Sequence, residues 1–288
     1  MKTCAIYYRK TDDGTPFHYA HKQWIQSLKP EAVTAFTPNF LNQDSIATGF
    51  IGQVLSFAKG LVVPSADVYI LEGIACLPSV AFKKGKKIVI NSDVFVRNLS
   101  SMSGLRKRYA LWLLSKADAF VSTSEMMKDL TVKYSKKPQE VVYPQANLEA
   151  FYKIKPQLGS NNLCAIGLSV FPKGTDIAID TYELYKKTHS EAKLFVCGED
   201  SYRSEIDGLK GIVAPGRVDI KKYLAQSAIN INTSRHDSFG VSVMEAMAAG
   251  VIPIVSDKCG AKNFVAKVDK KLVVPLDAKK FAERASWI

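Results

Sequence analysis

The sequence predicts an α/β protein with two doubly wound parallel sheets. Short β-branched runs alternate with helix-length segments almost from end to end, which is the rhythm of parallel βαβ units. The 288 residues, with 47% hydrophobic and 23% charged side chains, have the length and composition of two globular domains. Two sheets of about six strands fit better than one sheet of twelve, because single cores stop growing at roughly 250 to 300 residues.

Twelve apolar runs are the candidate strands, six in each half of the chain. We expect them at residues 4–8, 33–36, 68–71, 87–91, 119–122 and 141–143, then at 163–166, 194–197, 211–214, 229–232, 252–256 and 272–274. Polar residues, a proline and a glycine interrupt the pattern over residues 149–162. The predicted domains are therefore 1–150 and 151–288, facing each other across a cleft lined by the carboxyl ends of strands.

Charge and cysteine content suggest where the protein works. The net charge is +12, and residues 1–155 hold 21 Lys and Arg against 12 Asp and Glu. Such a basic half attracts an anionic membrane or a lipid-linked acceptor, whereas no module for binding nucleic acid is recognisable. Five scattered cysteines without CxxC spacing indicate buried thiols, and no signal peptide is evident. We expect a cytoplasmic protein, peripheral on the inner face of a membrane.

Residues 230–256 form the most informative segment, in which a strand, a loop, a helix and a strand follow closely. Gly240 permits a tight turn, and the helix is expected to begin near Val241. The free N–H groups at a helix start suit a phosphate, while Glu245 could accept hydrogen bonds from a ribose diol. The alternative is structural, with Asp237 as a helix cap, Glu245 as a surface residue and the glycines as punctuation.

This segment resembles the donor-site signature of glycosyltransferase family 4, whose fold is the two-domain GT-B fold. The matching residues are Ser234, Asp237, Phe239, Gly240, Glu245, Ala246, Met247, Ala248, Gly250 and Pro253. The family's two acids thus fall on Asp237 and Glu245, with Asp in place of the usual first Glu. The resemblance extends over roughly residues 117–282 and implies a nucleotide-sugar donor, of the UDP or GDP type.

The resemblance also implies residue roles. Lys173 would pair with the donor diphosphate, Asp237 would contact the donor sugar, and Glu245 would bind the ribose. The remaining donor contacts would come from Gly167, Gly198, Val218, His236, Ser238, Phe239 and Gly240. Such enzymes transfer the sugar with retention of anomeric configuration and need no bound metal or other cofactor, because positive charge and a helix dipole neutralise the leaving diphosphate.

The sequence departs from the family pattern on both sides of the reaction. The family has an Arg beside the first glycine of the donor loop, but Leu168 and Ser169 follow Gly167 here. Arg235, Arg217 or Lys262 could supply the missing charge. On the acceptor side the expected residues are Gly14, His18, or alternatively His21, and Asp93, with no His beside Asp93.

Three functions remain open at this point. The first is an active glycosyltransferase that acts on a glycan or lipid-linked acceptor. The second is a relative that binds a nucleotide or sugar without turnover. The third is another protein with two Rossmann-like domains, such as a nucleotide-sugar epimerase or a nicotinamide enzyme, although the first strand is not followed by the GxGxxG expected of the latter.

Overall fold

The computed structural model describes residues 1–7, 24–25, 27–35, 57–92, 95–168, 170–198, 206 and 208–288. Contacts between Cα atoms divide the chain into two units, Met1–Gln145 and Ala146–Ile288. Each unit contains one six-stranded sheet whose neighbouring strands are all parallel. The fold class predicted from the alternating sequence pattern is therefore confirmed.

The first unit has the strand order β2-β1-β3-β4-β5-β6. Its strands are β1 (Thr3–Tyr7), β2 (Ala32–Ala35), β3 (Val68–Glu72), β4 (Lys86–Asn91), β5 (Ala119–Ser122) and β6 (Gln139–Val141). Its helices are α1 (Phe95–Asn98), α2 (Gly104–Ser115) and α3 (Glu125–Val132), and a 3-10 helix spans Ile74–Val80. The core lies on both faces of this sheet: Cys4 and Ile6 pack into one cluster and Ala5 and Tyr7 into another, as alternation along a doubly covered strand requires.

The second unit has the strand order β12-β11-β10-β7-β8-β9. Its strands are β7 (Leu163–Leu168), β8 (Leu194–Gly198), β9 (Ile212–Gly216), β10 (Ile229–Asn232), β11 (Ile252–Ser256) and β12 (Val273–Val274). Its helices are α4 (Val170–Lys173), α5 (Thr175–Tyr185), α6 (Lys221–Leu224), α7 (Val241–Ala248), α8 (Lys262–Val268) and α9 (Ala278–Trp287), and two 3-10 turns span Leu158–Ser160 and Lys270–Leu272. Leu194 and Val196 pack on one face and Phe195 and Cys197 on the other.

All twelve predicted strands are present, with ends that differ by no more than two residues. Two shifts have a local cause. Gly211 was placed at the start of a strand, but its φ is +86° and β9 begins at the next residue. The predicted strand 141–143 lies at 139–141, where β6 is a three-residue edge strand and Tyr143 is exposed.

The predicted features around the polar segment 230–256 also have a structural outcome. Helix α7 begins at Val241, as expected, and Gly250 adopts a φ of +76° just after the helix ends. The five cysteines are free and buried, which confirms the prediction of buried thiols. Within the described parts of the chain, no helix is both long enough and apolar enough to cross a membrane.

Candidate functional site

Asp237 lies in the loop between β10 and α7, where several groups hold its carboxylate. Asn232 Nδ2 donates to Asp237 Oδ2 over 3.4 Å, and the backbone N–H of Phe239 donates to Oδ1 over 3.4 Å. The Asp237 backbone is fixed as well, since its N–H donates to the Lys258 carbonyl and its carbonyl accepts from Gly260 N–H. The loop is therefore anchored to the segment after β11, and the carboxylate cannot turn freely toward solvent.

Lys173 reaches this carboxylate from a separate strand–helix connection. It ends the short helix α4 after β7, and its Nζ lies 2.8 Å from Asp237 Oδ2. The Asp237 side chain is 10% exposed and that of Lys173 is 36% exposed. Asp237 is thus nearly buried, while about a third of the Lys173 side chain remains exposed.

The pair has opposed effects on its two pKa values. Burial alone would raise the pKa of Asp237, but the Lys173 ammonium, together with hydrogen bonds from Lys173, Asn232 and the Phe239 amide, brings that pKa below its ordinary value. Burial lowers the pKa of Lys173, and the Asp237 carboxylate more than reverses the effect, so that the net shift is upward. Both groups are therefore charged at neutral pH.

A pocket of about 260 Å³, counting its open side, lies at the carboxyl ends of β7 and β10. Its lining residues are Ala165, Ile166, Gly167, Lys173, Thr175, Ala178, Val196, Ile231, Asn232, Thr233 and Ser234. Asp237 adjoins it through the ion pair with Lys173. This is the edge where open parallel sheets bind their ligands.

Two glycines keep this edge narrow. Gly167 has a φ of +97° within a bulge between β7 and β8, and a Cβ there would lie 3.7 Å from Lys173 Cε. Gly174 has a φ of +65°, and a Cβ there would overlap the Thr233 carbonyl oxygen. Thr233 Oγ1 also donates to the Gly174 carbonyl over 2.8 Å. The lysine loop is thus seated directly on the end of β10.

Glu245 lies in the middle of α7 and is half-buried. Burial raises the pKa of its carboxyl group to about 7. The residue does not line the pocket described above. The Glu245 side chain is thus partly withdrawn from solvent, which disfavours its charged form.

Gly240 separates the Asp237 loop from α7. Its φ is +90°, and a Cβ would meet Cys259 Sγ at 2.8 Å. Asp237 does not cap the helix, since Gly240 occupies the N-cap position and no side-chain cap hydrogen bond is formed. The structural alternative that made Asp237 a helix cap is therefore wrong.

The other residues predicted from the signature are largely buried. Phe239 is 2% exposed and meets Phe264 edge to face, with ring centroids 6.0 Å apart. Ser238 and His236 are also buried, and the backbone N–H of His236 donates to the Pro172 carbonyl over 3.4 Å. Phe239 thus serves the packing of the loop, whatever its backbone amide binds.

Gly198 and Val218 do not line the pocket at β7 and β10. Gly198 ends β8 and pairs in register with Leu168, so it lies at the same carboxyl edge as Gly167. Val218 packs against the cluster that contains Phe195 and Leu224. The structure therefore brings together Lys173 and Asp237 beside Gly167, with Gly198 on the neighbouring strand end.

Arg235 and Lys262, which were proposed to replace the family's arginine, both make hydrogen bonds within the second unit. Arg235 Nη1 and Nη2 donate to the two carboxylate oxygens of Asp176 over 2.8 and 2.6 Å, and its guanidinium lies 3.9 Å from the Phe171 ring centroid. Lys262 Nζ donates to the Asp257 carbonyl over 2.8 Å. Arg217 is exposed beside Val218. Arg235 is therefore a clamp between two loops, with its charge already balanced.

The acceptor-side predictions Gly14, His18 and Asp93, and the alternative His21, lie outside the described residues. Among the residues that the structure does describe, no three His, Cys, Asp or Glu side chains gather in a group that could hold a metal ion.

Sequence reasoning missed the residues that position the ion pair. Asn232 orients Asp237, and Arg235 pairs with Asp176 across 59 positions of sequence. A signal for Asn232 existed, since an amide that ends the buried run ININ needs a partner. No local pattern connects Arg235 to Asp176.

Comparisons with known proteins find that the chain is similar to glycosyltransferases. The family model described as glycosyl transferases group 1 matches residues 160–288. A curated relative from Xenopus tropicalis, GDP-Man:Man(3)GlcNAc(2)-PP-Dol alpha-1,2-mannosyltransferase, is 24% identical in an alignment 263 positions long, which covers 81% of this chain and 53% of the relative. The chain thus spans about half the length of that relative.

Solved structures share the fold over nearly the whole chain. Sucrose-phosphate synthase from Thermosynechococcus elongatus has a TM-score of 0.73 at 15% identity, covering 100% of this chain and 90% of that one. Anabaena HepE, solved with UDP and glucose, has a TM-score of 0.70 at 16% identity, with 100% and 89% covered. The Staphylococcus aureus protein TarM, with a TM-score of 0.65 and 16% identity, matches 81% of this chain and 51% of its own. The chain has the GT-B fold, and its residues 160–288 are similar to the glycosyl transferases group 1 family.

Proposed function

We propose that the protein is a retaining, metal-independent glycosyltransferase of the family 4 type, which moves a sugar from a UDP- or GDP-sugar to an acceptor. The observation that carries the proposal is the ion pair of Lys173 and Asp237 beside Gly167, at the carboxyl edge of the sheet in the matched domain. Similar proteins include a GDP-mannose mannosyltransferase and a protein solved with UDP and glucose, which supports a nucleotide-sugar donor.

The leaving group sets the main chemical demand. When the bond from the sugar's anomeric carbon to the diphosphate breaks, negative charge develops on a phosphate oxygen, and that oxygen takes the proton that the acceptor hydroxyl gives up as the new bond forms. The part-exposed Lys173 ammonium supplies fixed positive charge without the reorganisation that water would need. The N–H groups at the start of α7 and the residues Ser238, Phe239 and Gly240 add hydrogen-bond donors.

The two acids take different parts of the donor. Asp237, held ionised, accepts hydrogen bonds from hydroxyl groups of the transferred sugar, and Glu245 accepts hydrogen bonds from the ribose diol. Around them, Gly167 and Gly198 let backbone approach the donor, while His236 and Val218 complete its surroundings. We assign this donor site to residues 151–288 and the acceptor, through Gly14, His18 and Asp93, to residues 1–150.

The basic first domain favours a lipid-linked or envelope-glycan acceptor, and a cytoplasmic protein held on the inner membrane face. Nucleic acid is not part of this proposal. No bound metal is needed when Lys173 and the helix dipole neutralise the diphosphate.

Thermal unfolding in the presence of nucleotides tests the donor site. A ligand at about 100 times its dissociation constant should stabilise the fold by about 2.7 kcal/mol. We expect UDP or GDP, with EDTA present, to raise the unfolding temperature, and ADP to do so less. The proposed site is wrong if neither UDP nor GDP raises the unfolding temperature of the wild type. It is also wrong if the nucleotides raise the unfolding temperatures of K173M and D237N as much as that of the wild type.

Turnover distinguishes the leading proposal from its alternative, a relative that binds the donor without transfer. The observation that favours the alternative is that Leu168 and Ser169 stand where the family has an arginine. Release of nucleoside diphosphate from a donor that binds would support transfer, and the anomeric configuration of the product, read by NMR, tests retention. Tight binding with no release under any acceptor would favour the alternative.

A further inference from the structure

Four aromatic rings of the first unit form a cluster at its surface. The ring centroids of Phe57 and Phe82 are 5.8 Å apart, and those of Phe82 and Trp112 are 5.9 Å apart. Phe57 also meets Trp112 at 6.3 Å, and Tyr109 stacks on Trp112 at 5.7 Å. Lys116 Nζ lies 5.0 Å from the Trp112 ring centroid. The cluster therefore joins three separate segments of the chain.

The cluster is partly open to solvent, since Phe82 is exposed and the other three rings are half-buried. Phe82 is 77% exposed, Leu61 is 87% exposed, Val62 is 76% exposed and Leu105 is 80% exposed. Single exposed apolar side chains are ordinary, but several of them around an aromatic cluster mark an interaction surface. Other exposed apolar side chains of this unit, such as Leu28, Val33 and Val132, are less exposed, at 55 to 61%.

Local geometry holds these segments together. Leu105, Tyr109, Trp112 and Lys116 follow the helical spacing of α2 and share one face of it. Gly60 permits close approach of the 57–63 turn to the end of the 3-10 helix, because a Cβ there would lie 2.7 Å from the Ser79 carbonyl oxygen. This approach places Leu61 and Val62 beside the segment that carries Phe82.

Hydrogen bonds from one lysine hold the loop before β4. Lys87 Nζ donates to the carbonyls of Lys83 and Gly85 over 2.9 and 3.0 Å, so that the loop after Phe82 is closed on itself. The cluster therefore lies near the amino ends of β4 and β5, away from the carboxyl edge of the sheet. It is a preformed surface.

The same three segments are strongly basic. Residues 57–64, 79–87 and 103–117 contain nine Lys and Arg and no Asp or Glu. These are Lys59, Lys83, Lys84, Lys86, Lys87, Arg106, Lys107, Arg108 and Lys116. Lys87 itself is buried, and Lys86 lies 3.8 Å from Asp118, which follows the third segment. We call this surface, with its four rings and the exposed Leu61, Val62 and Leu105, the aromatic-basic face.

We propose that the aromatic-basic face docks on an anionic phospholipid bilayer. Phe82, Leu61 and Val62 enter the interfacial layer, Trp112 and Tyr109 lie at headgroup level, and the flanking Lys and Arg pair with lipid phosphates. Amphipathic rings favour this depth, and basic side chains reach upward along their apolar stems. Apolar insertion and charge attraction together give the two signals that stable peripheral binding needs.

Charge argues against a second copy of this chain as the occupant. In a symmetric dimer through this face the same basic residues would oppose each other without acidic partners, and like charges close together are destabilising. An acidic protein remains the competing occupant, and the experiment below separates it from lipid.

This inference deepens the membrane part of the proposed function, but it uses residues of the first unit alone. Its test needs no donor, acceptor or turnover. A protein that binds vesicles but transfers no sugar would refute the proposed activity and leave the docking surface intact. A protein that transfers sugar but does not bind vesicles would refute the docking surface and leave the activity intact.

Vesicle flotation of the full chain is the primary experiment. With equal parts phosphatidylcholine and phosphatidylglycerol, we expect the wild type to float with the vesicles at low salt, to bind less at about 0.5 M salt and to ignore pure phosphatidylcholine. F82S should lower the partition coefficient about tenfold, from the lost burial of one ring. K83E with K84E should lower it by about tenfold or more.

Matched controls lie on the second unit. V268S changes another apolar side chain that is 69% exposed, and K270E with K279E changes the charge by the same amount at two exposed lysines. Both controls should bind vesicles like the wild type. Equal loss in the charge control would mean that net charge alone drives binding, which overturns the assignment to this face.

Trp112 reports insertion directly. In a W24F/W287F variant, Trp112 is the remaining tryptophan of the three in the chain, and lipids brominated near the headgroup should quench its emission in anionic vesicles. Unfolding temperatures check that every variant is folded. Unchanged flotation of F82S and K83E/K84E, or no quenching of Trp112 in vesicle-bound protein, would refute the proposal and leave an acidic protein as the occupant.

Discussion

The loop that carries Asp237 and the helix that carries Glu245 treat their carboxyl groups in opposite ways. Both side chains are withdrawn from water, and they are eight residues apart in sequence. Asp237 has a lysine at 2.8 Å and a lowered pKa, whereas burial raises the pKa of Glu245 to about 7. Burial alone favours the protonated acid, and a counter-ion with hydrogen bonds reverses that preference. The free protein thus holds a fixed charge on the loop and an exchangeable proton on the helix.

The largest effect is expected from removing the cation. K173M should lower kcat/KM for sugar transfer by about 10²- to 10³-fold, as the loss of one preorganised donor to a developing charge does. K173R keeps the charge and should retain part of the activity. Steady-state release of nucleoside diphosphate measures both variants, and an active K173M would separate the ion pair from the chemistry.

A double-mutant cycle measures the pair's contribution to stability. K173M, D237N and the double variant, unfolded in urea near pH 7, should give a coupling energy of about 1 to 3 kcal/mol, reduced by the exposure of the lysine. The coupling should vanish as the pH falls below 3.8 through the lowered pKa of Asp237, and should persist above pH 10.5 because the pKa of Lys173 is raised. The exposed pair Lys280 and Glu283, at 3.0 Å, is the control, with about 0.5 kcal/mol or less expected.

Glu245 should give the opposite pH dependence. Because the folded protein holds a proton that the unfolded chain releases near pH 4.5, the stability of the wild type relative to E245Q should fall as the pH rises from 4.5 to about 7. The total fall is expected to be roughly 1 to 3 kcal/mol. Urea unfolding of both proteins across this range measures it. A flat difference would show that the carboxyl group has an ordinary pKa.

Gly240 joins the two regions, and a side chain there should disturb both. G240A combines a positive φ with a Cβ 2.8 Å from Cys259 Sγ, so we expect a loss of about 1 to 3 kcal/mol. G159A is the control, since a Cβ on Gly159 meets no atom within 4 Å. Equal stability of the two variants would mean that the turn adapts without strain.

The smallest expected effect is a pH dependence of donor affinity. If the Glu245 carboxylate accepts hydroxyl groups from the ribose, binding must release its proton below about pH 7. The affinity of the wild type for UDP or GDP, measured by calorimetry, should therefore rise several-fold from about pH 6 to about pH 8. E245Q corrects for titration of the nucleotide itself, and an identical profile in both proteins would remove Glu245 from the site.

The sequence predicted the sheets well because strand and helix patterns are local. Runs such as ININ and the glycine before Val241 carry their structure in a few neighbouring residues. The family resemblance placed Lys173 and Asp237 in one donor site, but the ion pair between them was not predicted, since nothing local relates two residues 64 positions apart.

Other parts of the site depended on tertiary contacts. The commitment of Arg235 to Asp176 removes it as a free phosphate-binding cation, and only the folded chain brings those loops together. The withdrawal of Glu245 from water likewise depends on what packs over α7, which helical periodicity does not specify.

The thiol of Cys259 lies beneath the Gly240 turn, fully buried, and burial followed by the nearby Asp237 carboxylate holds its pKa far above the ordinary value. Alkylating reagents attack thiolates, so this cysteine reacts only when the turn opens. Its labelling rate, followed by mass spectrometry, therefore reports how often the turn opens. A nucleotide that closes the turn would slow the labelling of Cys259 and leave the labelling rates of Cys4 and Cys76, in the other unit, unchanged.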